Sequence, residues 1–583
     1  MLGNVVNIVL IFCDDLGTFD MGFNGHPSIL TPNIDRMAME GAVFTDWLSA
    51  APICTPSRAS LYTGRLPIRN GLYADMQYLP PGQNISFFGL DAWQRKDGKG
   101  GLASSEITFA NLVRKQHWDT KLVGKWHLGQ SKYEFWPTSH GFSEFVGSLS
   151  THDHGGRPNQ YPCTVVVNGT RVVYRLTNGG MPPQGGDDPT RGPHECNVSQ
   201  VVNGGDGAKP LGVDELMPIY TNECLKFIRA HAKNNPMSAN APFLLVFAPD
   251  NTHVPVYASQ RFRGTSARGT YGDAVQELDW SVGQILSAIK NGGLDSDTMV
   301  ILTSDNGAQG GAGNNGCQGM FKCMKGTTWE GGFREPAVIR FPSVVAPMQR
   351  ITATVSTLDL FPTICELAQV QLPSTLQLDG KSLMPLLRRP HGTRPTSHEP
   401  PFRDSYFYWR GNAVFAQRSG AYKLHHYTQG CNNYWEPALQ HHNPPLLFHI
   451  AHDPAEAFPL NASLPKYQTI LATARAQMAA HLSAVENDTT RSRVAQLNIC
   501  DSAAALWPSS DHPPSNPYPC SYQFPRDVPA SREVNQRTSV EVPFALDGCP
   551  GGANSSLTRL LFKAVNLSVP GLVKVGVGSI GVL

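Results

Sequence analysis

The apolar run Ile8-Val9-Leu10-Ile11-Phe12-Cys13 breaks off at Asp14-Asp15-Leu16-Gly17, and a second run, Met299-Val300-Ile301-Leu302, passes through Thr303-Ser304 into Asp305-Asn306-Gly307. Short continuous apolar runs without polar alternation predict strands buried on both faces. Each run ends in acidic or amide residues and a glycine, and in open α/β sheets ligands collect at the carboxyl ends of such strands. Phe243 to Ala248 predicts another buried strand, and Tyr271 to Leu286 carries a helical pattern. Strands alternating with helices predict a layered α/β domain, in which the two acidic strand ends can be neighbours despite their separation in sequence.

Elsewhere the pattern weakens. Residues 155–212 are rich in Gly, Pro and Asn and predict a long surface excursion rather than core, which Cys163 and Cys196 can staple. Arg388 to Thr396 forms a polar, proline-bearing joint, so a catalytic domain over residues 1–390 and a smaller C-terminal domain over 391–583 are expected. In the second, Ser405–Trp409 and Ala413–Gln417 are strand-like and suit a small antiparallel sheet, while the chain beyond Ile499 turns Pro-, Ser- and Cys-rich. Val569 to Leu583 is apolar, but Lys574 and four glycines make it a poor lipid-anchor signal, and a loose terminus is expected.

Charge barely biases the chain. Lys+Arg 47 against Asp+Glu 46 over 583 residues leaves a net charge of +1, so no global field draws it to nucleic acid or to an anionic membrane. No internal stretch reaches the roughly 18 apolar residues of a membrane helix. Twelve cysteines and seven Asn-x-Ser/Thr sequons, at Asn84, Asn168, Asn197, Asn461, Asn487, Asn554 and Asn566, favour an oxidising secretory route, ending outside the cell or in a lysosome. Val5 to Phe12 reads as a strand and not as a leader, because cleavage after it would remove the acidic pair. With no signal peptide ahead of it, the sequence is expected to begin downstream of the true start.

The densest chemistry lies in Cys54-Thr55-Pro56-Ser57-Arg58-Ala59-Ser60-Leu61-Tyr62-Thr63-Gly64-Arg65. Pro56 suits the first position of a helix, whose free N–H groups and dipole favour an oxyanion, and Arg58 adds a fixed cation. Asp14, Asp15, Asp305 and Asn306 offer three carboxylates and an amide oxygen, a hard donor set for Ca²⁺ or Mg²⁺. Taken singly, such Asp-Asp and Asp-Asn-Gly segments are ordinary turns; their pairing with the cysteine motif points to a metal. A thiolate beside a hard cation and three carboxylates is a mismatched ligand, and the negative charge should raise the Cys54 pKa. Lys125 and His127, at i and i+2, would share one side of a strand. His253 follows the Phe243–Ala248 strand, and Lys325 opens the Gly-flanked segment Lys325-Gly326-Thr327-Thr328-Trp329-Glu330-Gly331-Gly332-Phe333-Arg334-Glu335-Pro336.

The Cys54 segment resembles the sulfatase signature Cys-x-Pro-x-Arg with its extension Ser-Arg-Ala-Ser-Leu-x-Thr-Gly-Arg, and Gly124-Lys125-Trp126-His127-Leu128-Gly129 and the Lys325 segment resemble two further sulfatase motifs. The resemblance covers most of residues 5 to 455, with an arylsulfatase A-like flavour at Asn314–Cys323 and Tyr422–Gly430. It implies an alkaline phosphatase-like α/β fold, a large mixed sheet flanked by helices with a smaller C-terminal α+β domain, and hydrolysis of sulfate esters. It also implies that Cys54 is oxidised to formylglycine by a formylglycine-generating enzyme, and that Asp14, Asp15, Cys54, Asp305 and Asn306 hold Ca²⁺, with Mg²⁺ as the alternative. Arg58, Lys125 and Lys325 would offset charge on the sulfuryl oxygens, His127 would act as base, and His253 or Lys325 would protonate the leaving oxygen. Thr151 and His425 would face the substrate, and Cys323 would pair with Cys431. After Gln429-Gly430 the chain reads Cys431-Asn432-Asn433 where relatives carry a further histidine, so the alcohol, whether aryl, lipid or carbohydrate, stays open. A phosphonate monoester or phosphodiester hydrolase on the same scaffold, or an inactive glycan-binding relative, are the other readings.

Overall fold

A computed structural model of the chain describes residues 6–73, 101–129, 133–152, 165–169, 171–177, 209–238, 241–310, 316–390, 392, 400–411, 413–431 and 440–490. Cys163, Cys196, the sequons at Asn84, Asn197, Asn554 and Asn566, and the chain beyond Thr490 lie outside them. The three sequon asparagines within them, Asn168, Asn461 and Asn487, are exposed.

The first apolar run forms the strand Asn7–Cys13 at the middle of an 11-stranded sheet. Thr298–Ser304 lies parallel on one side, in register from Asn7 opposite Thr298 to Cys13 opposite Ser304, and Phe243–Ala248 lies parallel on the other. Asp119–Gly124 and Glu144–Ser148 continue the parallel set, while Ala337–Arg340 pairs antiparallel with Thr298–Ser304 and Ala42–Phe44 pairs antiparallel with Ala337–Arg340. The sheet is therefore mixed. Successive side chains point to opposite faces of a strand, so Ile8, Leu10 and Phe12 enter one core and Val9, Ile11 and Cys13 the other. On the first face pack Leu61 and Tyr62 of the helix Cys54–Thr63 and Phe361 and Ile364 of Leu360–Leu367. On the second pack Tyr220 and Phe227 of Leu216–Ala230 and Leu278 and Ile285 of Gly269–Asn291. Burial on both faces is why these strands read as solid apolar runs.

The segment 155–212 corrects its reading as mere excursion. Its described parts include Val165–Asn168, Arg171–Thr177 and Lys209–Gly212, which extend the main sheet to its far edge, and Val166 and Val167 are buried. Gly and Pro between these short strands mask their periodicity.

Beyond residue 400, Ser405–Arg410, Ala413–Ser419, Tyr422–Thr428 and Gln440–His449 form a four-stranded antiparallel sheet in chain order. Leu471, Ala474, Met478 and Leu482 of the helix Gln468–Glu486 share a core with Val414, Leu424 and Leu447, and that core also takes in Leu66, Ile68 and Leu358. Cys323 and Cys431 form the expected disulfide, joining the two sheets' loops across 108 residues. No helix among the described residues is long and apolar enough to cross a membrane.

Candidate active site

The in-register pairing of the two central strands delivers Asp14 and Asp305 to the same edge. Asp305 N–H donates to Cys13 O at 3.1 Å, Leu16 N–H to Ser304 Oγ at 3.0 Å, and Asp15 N–H to Asp305 Oδ1 at 3.2 Å. Asp15 sits at φ 57°, a left-handed conformation that turns the chain sharply and sends its carboxylate to the same point. Asn306 Nδ2 donates to Asp15 Oδ1 at 2.6 Å, which leaves its Oδ1 buried without a protein partner.

The helix bearing the cysteine starts at Cys54 itself, with Ile53 extended as its cap. Pro56 is thus in the third position, not the first; it is tolerated because the first-turn N–H groups have no intrahelical acceptor. Cys54 Sγ comes within 3.5 Å of Asp14 Oδ1. Burial, above all, pushes the Cys54 thiol well above its ordinary value; Lys125 and Lys325 oppose this, and Asp305 and Asp14 add to it. The sequence reading named only the charges, whereas desolvation is the larger cause.

Arg58 is fully buried and faces the carboxylates. Its Nε lies 2.9 Å and its Nη2 2.8 Å from Asp305 Oδ2, Nη2 is 3.2 Å from Asp14 Oδ1, and Nη1 donates to Lys125 O at 3.3 Å. Here it is a counterion to Asp14 and Asp305. Lys125 Nζ sits 2.6 Å from Asp14 Oδ2, and Lys325 Nζ 2.7 Å from Asp15 Oδ2 and 3.4 Å from Gln309 Oε1.

Lys125 and His127 do not reach the site by strand alternation. The strand ends at Gly124, at φ 109°, where a Cβ would stand 2.1 Å from Ala248 O, so only glycine lets the chain leave there. His127, at φ 61°, is held by its N–H to Leu149 O at 3.1 Å and by Thr55 Oγ1 donating to its carbonyl at 3.2 Å. That bond ties its loop to the first turn of the Cys54 helix. His253 belongs to the cluster more closely than expected, since ligand atoms of Asp14, Asp15, Cys54 and His253 all lie within 4.8 Å of one another. Its Nδ1 faces Val254 O at 2.6 Å, which assigns the proton to Nδ1 and leaves the Nε2 lone pair toward Asp15 Oδ2, 3.7 Å away. Burial, with Lys125 and Lys325 nearby, takes its pKa down to about 4.

The two residues expected to face the substrate are both buried. Thr151 is buried beside His152, whose ring bridges Asp250 Oδ2 at 3.1 Å and Pro255 O at 3.0 Å and so braces the loop carrying His253. His425 is fully buried, 2.6 Å from Glu456 Oε1 and packed on Trp329 with ring centres 4.2 Å apart. It is not brought to the carboxylate cluster; it supports the Lys325 segment from the C-terminal sheet. Sequence reading passed over Thr252, whose Oγ1 donates to Asp14 O at 2.6 Å, and Gln309, although each is next to or near a singled-out residue.

Electrostatically the site is three carboxylates against three buried cations. Lys125 foremost, with His253 and Arg58, holds Asp14 well below the usual carboxylate range against the pull of burial, while burial and the Asp14 charge push Asp305 up. Carboxylates this close cannot all ionise without positive charge among them. Oxygen donors from Asp14, Asp15, Asp305 and the unpaired Asn306 Oδ1 therefore fit a hard divalent cation.

A mixed sheet with ionisable groups gathered at the carboxyl ends of its central parallel strands places the chain among α/β hydrolases built to handle tetrahedral oxyanions. More narrowly, it belongs to the sulfatase family, whose profile matches residues 6–370, with the C-terminal region of aryl-sulfatase matching residues 401–513. It is similar to N-acetylgalactosamine-6-sulfatase of Mus musculus, 37% identical over 86% of this chain and 90% of that protein. Arylsulfatase A of Bos taurus is 37% identical over 78% of this chain and 83% of that protein. A solved sulfatase from Pseudoalteromonas sp. shares the fold with a TM-score of 0.64 at 23% identity, over 84% of this chain and 92% of that one. The chain is a sulfuric ester hydrolase.

Proposed function

We propose that the enzyme works through formylglycine made from Cys54 and a bound Ca²⁺ or Mg²⁺, on a sulfate ester carried by a carbohydrate. The observation that carries the first part is Cys54 itself: a buried thiol, 3.5 Å from Asp14 and with its pKa driven up, is a poor nucleophile. Oxidised and hydrated, that position would supply an oxygen nucleophile, and a divalent cation held by Asp14, Asp15, Asp305 and Asn306 would lower the hydroxyl's pKa.

The remaining roles fall to the chain's own groups. Lys125 and Lys325, each on a carboxylate, are poised to share their charge with sulfuryl oxygens as negative charge spreads there. Arg58 keeps Asp14 and Asp305 aligned. His253, with Nε2 toward the cluster, is suited to exchange a proton with the leaving oxygen, and His127, fixed against the Cys54 helix, to take one from the nucleophile position. Thr151 borders this region through His152.

Similarity to N-acetylgalactosamine-6-sulfatase over most of the chain supports a carbohydrate alcohol. The Cys323–Cys431 disulfide and exposed sequon asparagines support passage through the secretory route, where a formylglycine-generating enzyme would act, and the family profiles at 6–370 and 401–513 are compatible with a division near residue 390. Peptide mass spectrometry of protein made with that enzyme should find an aldehyde at residue 54, with turnover tracking its occupancy. Full turnover by protein bearing only the thiol would refute the formylglycine reading. Faster turnover of a phosphate diester than of an aryl sulfate with the same leaving group would instead favour a diesterase preference on this scaffold.

A further inference from the structure

Gln309, three residues beyond Asn306, still borders the carboxylate cluster. Gly307 N–H donates to Gly332 O at 3.2 Å, and a Cβ on Gly307 would overlap Gly331 O. Ala308 O accepts from Lys325 N–H at 3.1 Å and from Gln318 Nε2 at 2.6 Å, and Gly310 lies so near Met324 that a Cβ there would overlap its sulfur. Residues 307–310 therefore run fixed along the Lys325 segment, and a side chain they carry is placed by rigid backbone. Ala308 is buried whereas Gln309 is half-buried, so the Gln309 side chain stands at the rim, where the buried groups meet solvent.

The amide of Gln309 has a defined orientation. Its Oε1 lies 3.4 Å from Lys325 Nζ, and an ammonium only donates, so the oxygen and not the nitrogen must face it. Nε2 is thereby turned off the lysine, and among the described residues it has no acceptor. Lys325 Nζ in turn rests on Asp15, its side chain only 5% exposed, so Asp15, Lys325 and Gln309 form a series from the buried carboxylates out to solvent. A sulfuryl group held by Lys325 would direct its alcohol outward, since the carboxylates occupy the inner side. That alcohol then meets an amide whose N–H donors are uncommitted. An aryl alcohol has no oxygen to offer them beyond that of the ester, whereas a carbohydrate carries hydroxyls close to the ester carbon. We propose that Gln309 is a specificity-determining residue: Oε1 holds Lys325, and Nε2 donates to a hydroxyl oxygen of a carbohydrate beside its sulfate ester, a role that rests on the assignment of Lys325 to sulfuryl oxygens and of the alcohol to a carbohydrate.

Steady-state kinetics of the whole enzyme test it, with the 4- and 6-monosulfates of galactose and N-acetylgalactosamine set against 4-nitrophenyl sulfate. Gln309→Ala should lower kcat/KM for the sugar sulfates about fivefold or more, mostly through KM, because the lost bond is made in ground and transition states alike. The loss on 4-nitrophenyl sulfate should be smaller, since that ester gives up only the anchoring of Lys325. Gln309→Met, of similar length but without the amide, should shift the ratio of the two the same way, and keeps the test decisive should the alanine variant disturb the fold. Equal loss on both kinds of ester in both variants, or loss on neither, would overturn the proposal and leave the carbohydrate reading standing. Lys325→Met should depress kcat for both kinds of ester; an undiminished kcat there would count against the reading of Lys325 alone. Wild-type enzyme that hydrolyses the aryl ester but none of the sugar sulfates would overturn the carbohydrate reading, and the role of Gln309 with it.

Discussion

Lys125 Nζ lies 2.6 Å from Asp14 Oδ2, and neither side chain is exposed to solvent. Burial is the largest single influence and opposes the Lys125 charge, but Asp14, with Cys54 and Asp305, together outweigh it, so the lysine's pKa is raised. Removing one partner of a buried pair leaves the other uncompensated, at about 3–5 kcal/mol. Lys125→Met should therefore lower stability by that order in chemical denaturation, and lower kcat for a sulfate ester by about 10²-fold or more, the usual scale for loss of an electrostatic stabiliser. An undiminished kcat would remove Lys125 from the reacting centre.

Cation binding at Asp14, Asp15, Asp305 and Asn306 should stabilise the fold, because it relieves repulsion among carboxylates that Arg58, Lys125 and Lys325 only balance. At a hundred times its Kd the ion would contribute about 2.7 kcal/mol. Thermal melts with added Ca²⁺ should shift upward and return with chelator, and Asn306→Ala should shrink the shift. Identical melts with ion and with chelator would speak against a site there.

The Lys325 segment is clamped from the C-terminal sheet. Lys423 Nζ is 2.9 Å from Glu330 Oε1 and 3.0 Å from Glu456 Oε1, and Glu456 Oε2 accepts from Glu330 N–H at 2.6 Å, all fully buried. Lys423→Met should cost about 3–5 kcal/mol by leaving two buried carboxylates short of a partner. It should also reduce kcat of the folded protein, with Lys423→Arg partly restoring it. If the activity of the folded fraction is unchanged, the clamp serves stability only.

Stability should fall on acidification. Burial lowers His140 to about 4 and His426, with His425 and other histidines near it, to about 3. A base whose folded pKa is below its unfolded value near 6.5 contributes stability that is present above pH 6.5 and is lost as pH falls toward the folded value, at up to about 1.4 kcal/mol per pH unit for each group. The melting temperature should drop between pH 7 and 4.5, and His426→Gln should flatten that slope. Parallel curves for variant and wild type would exclude His426 as a source.

Much of the architecture was legible in the residue order. Solid apolar runs marked the central strands, since a strand buried on both faces has no polar alternation, and their shared acidic endings located the site before any pairing was known. The Cys54 motif and the Cys323–Cys431 pair were legible through resemblance, and the structure contains that disulfide. Strand-like reading failed at Lys125 and His127, because one positive-φ glycine against Ala248 takes the chain out of the sheet.

What the sequence alone determined, then, is local: which stretches are buried strands, which loops carry carboxylates, and which cysteine is set apart by its neighbours. Only the tertiary structure decided that Arg58 faces Asp14 and Asp305, that Lys125 and Lys325 rest on carboxylates 111 and 310 residues away, and that His425 is buried against Glu456 instead of joining them. Periodicity and turn chemistry act over a few residues and are written in order along the chain. Charge pairing and desolvation depend on which groups the assembled sheet brings out of water together, and that is fixed only when distant segments pack.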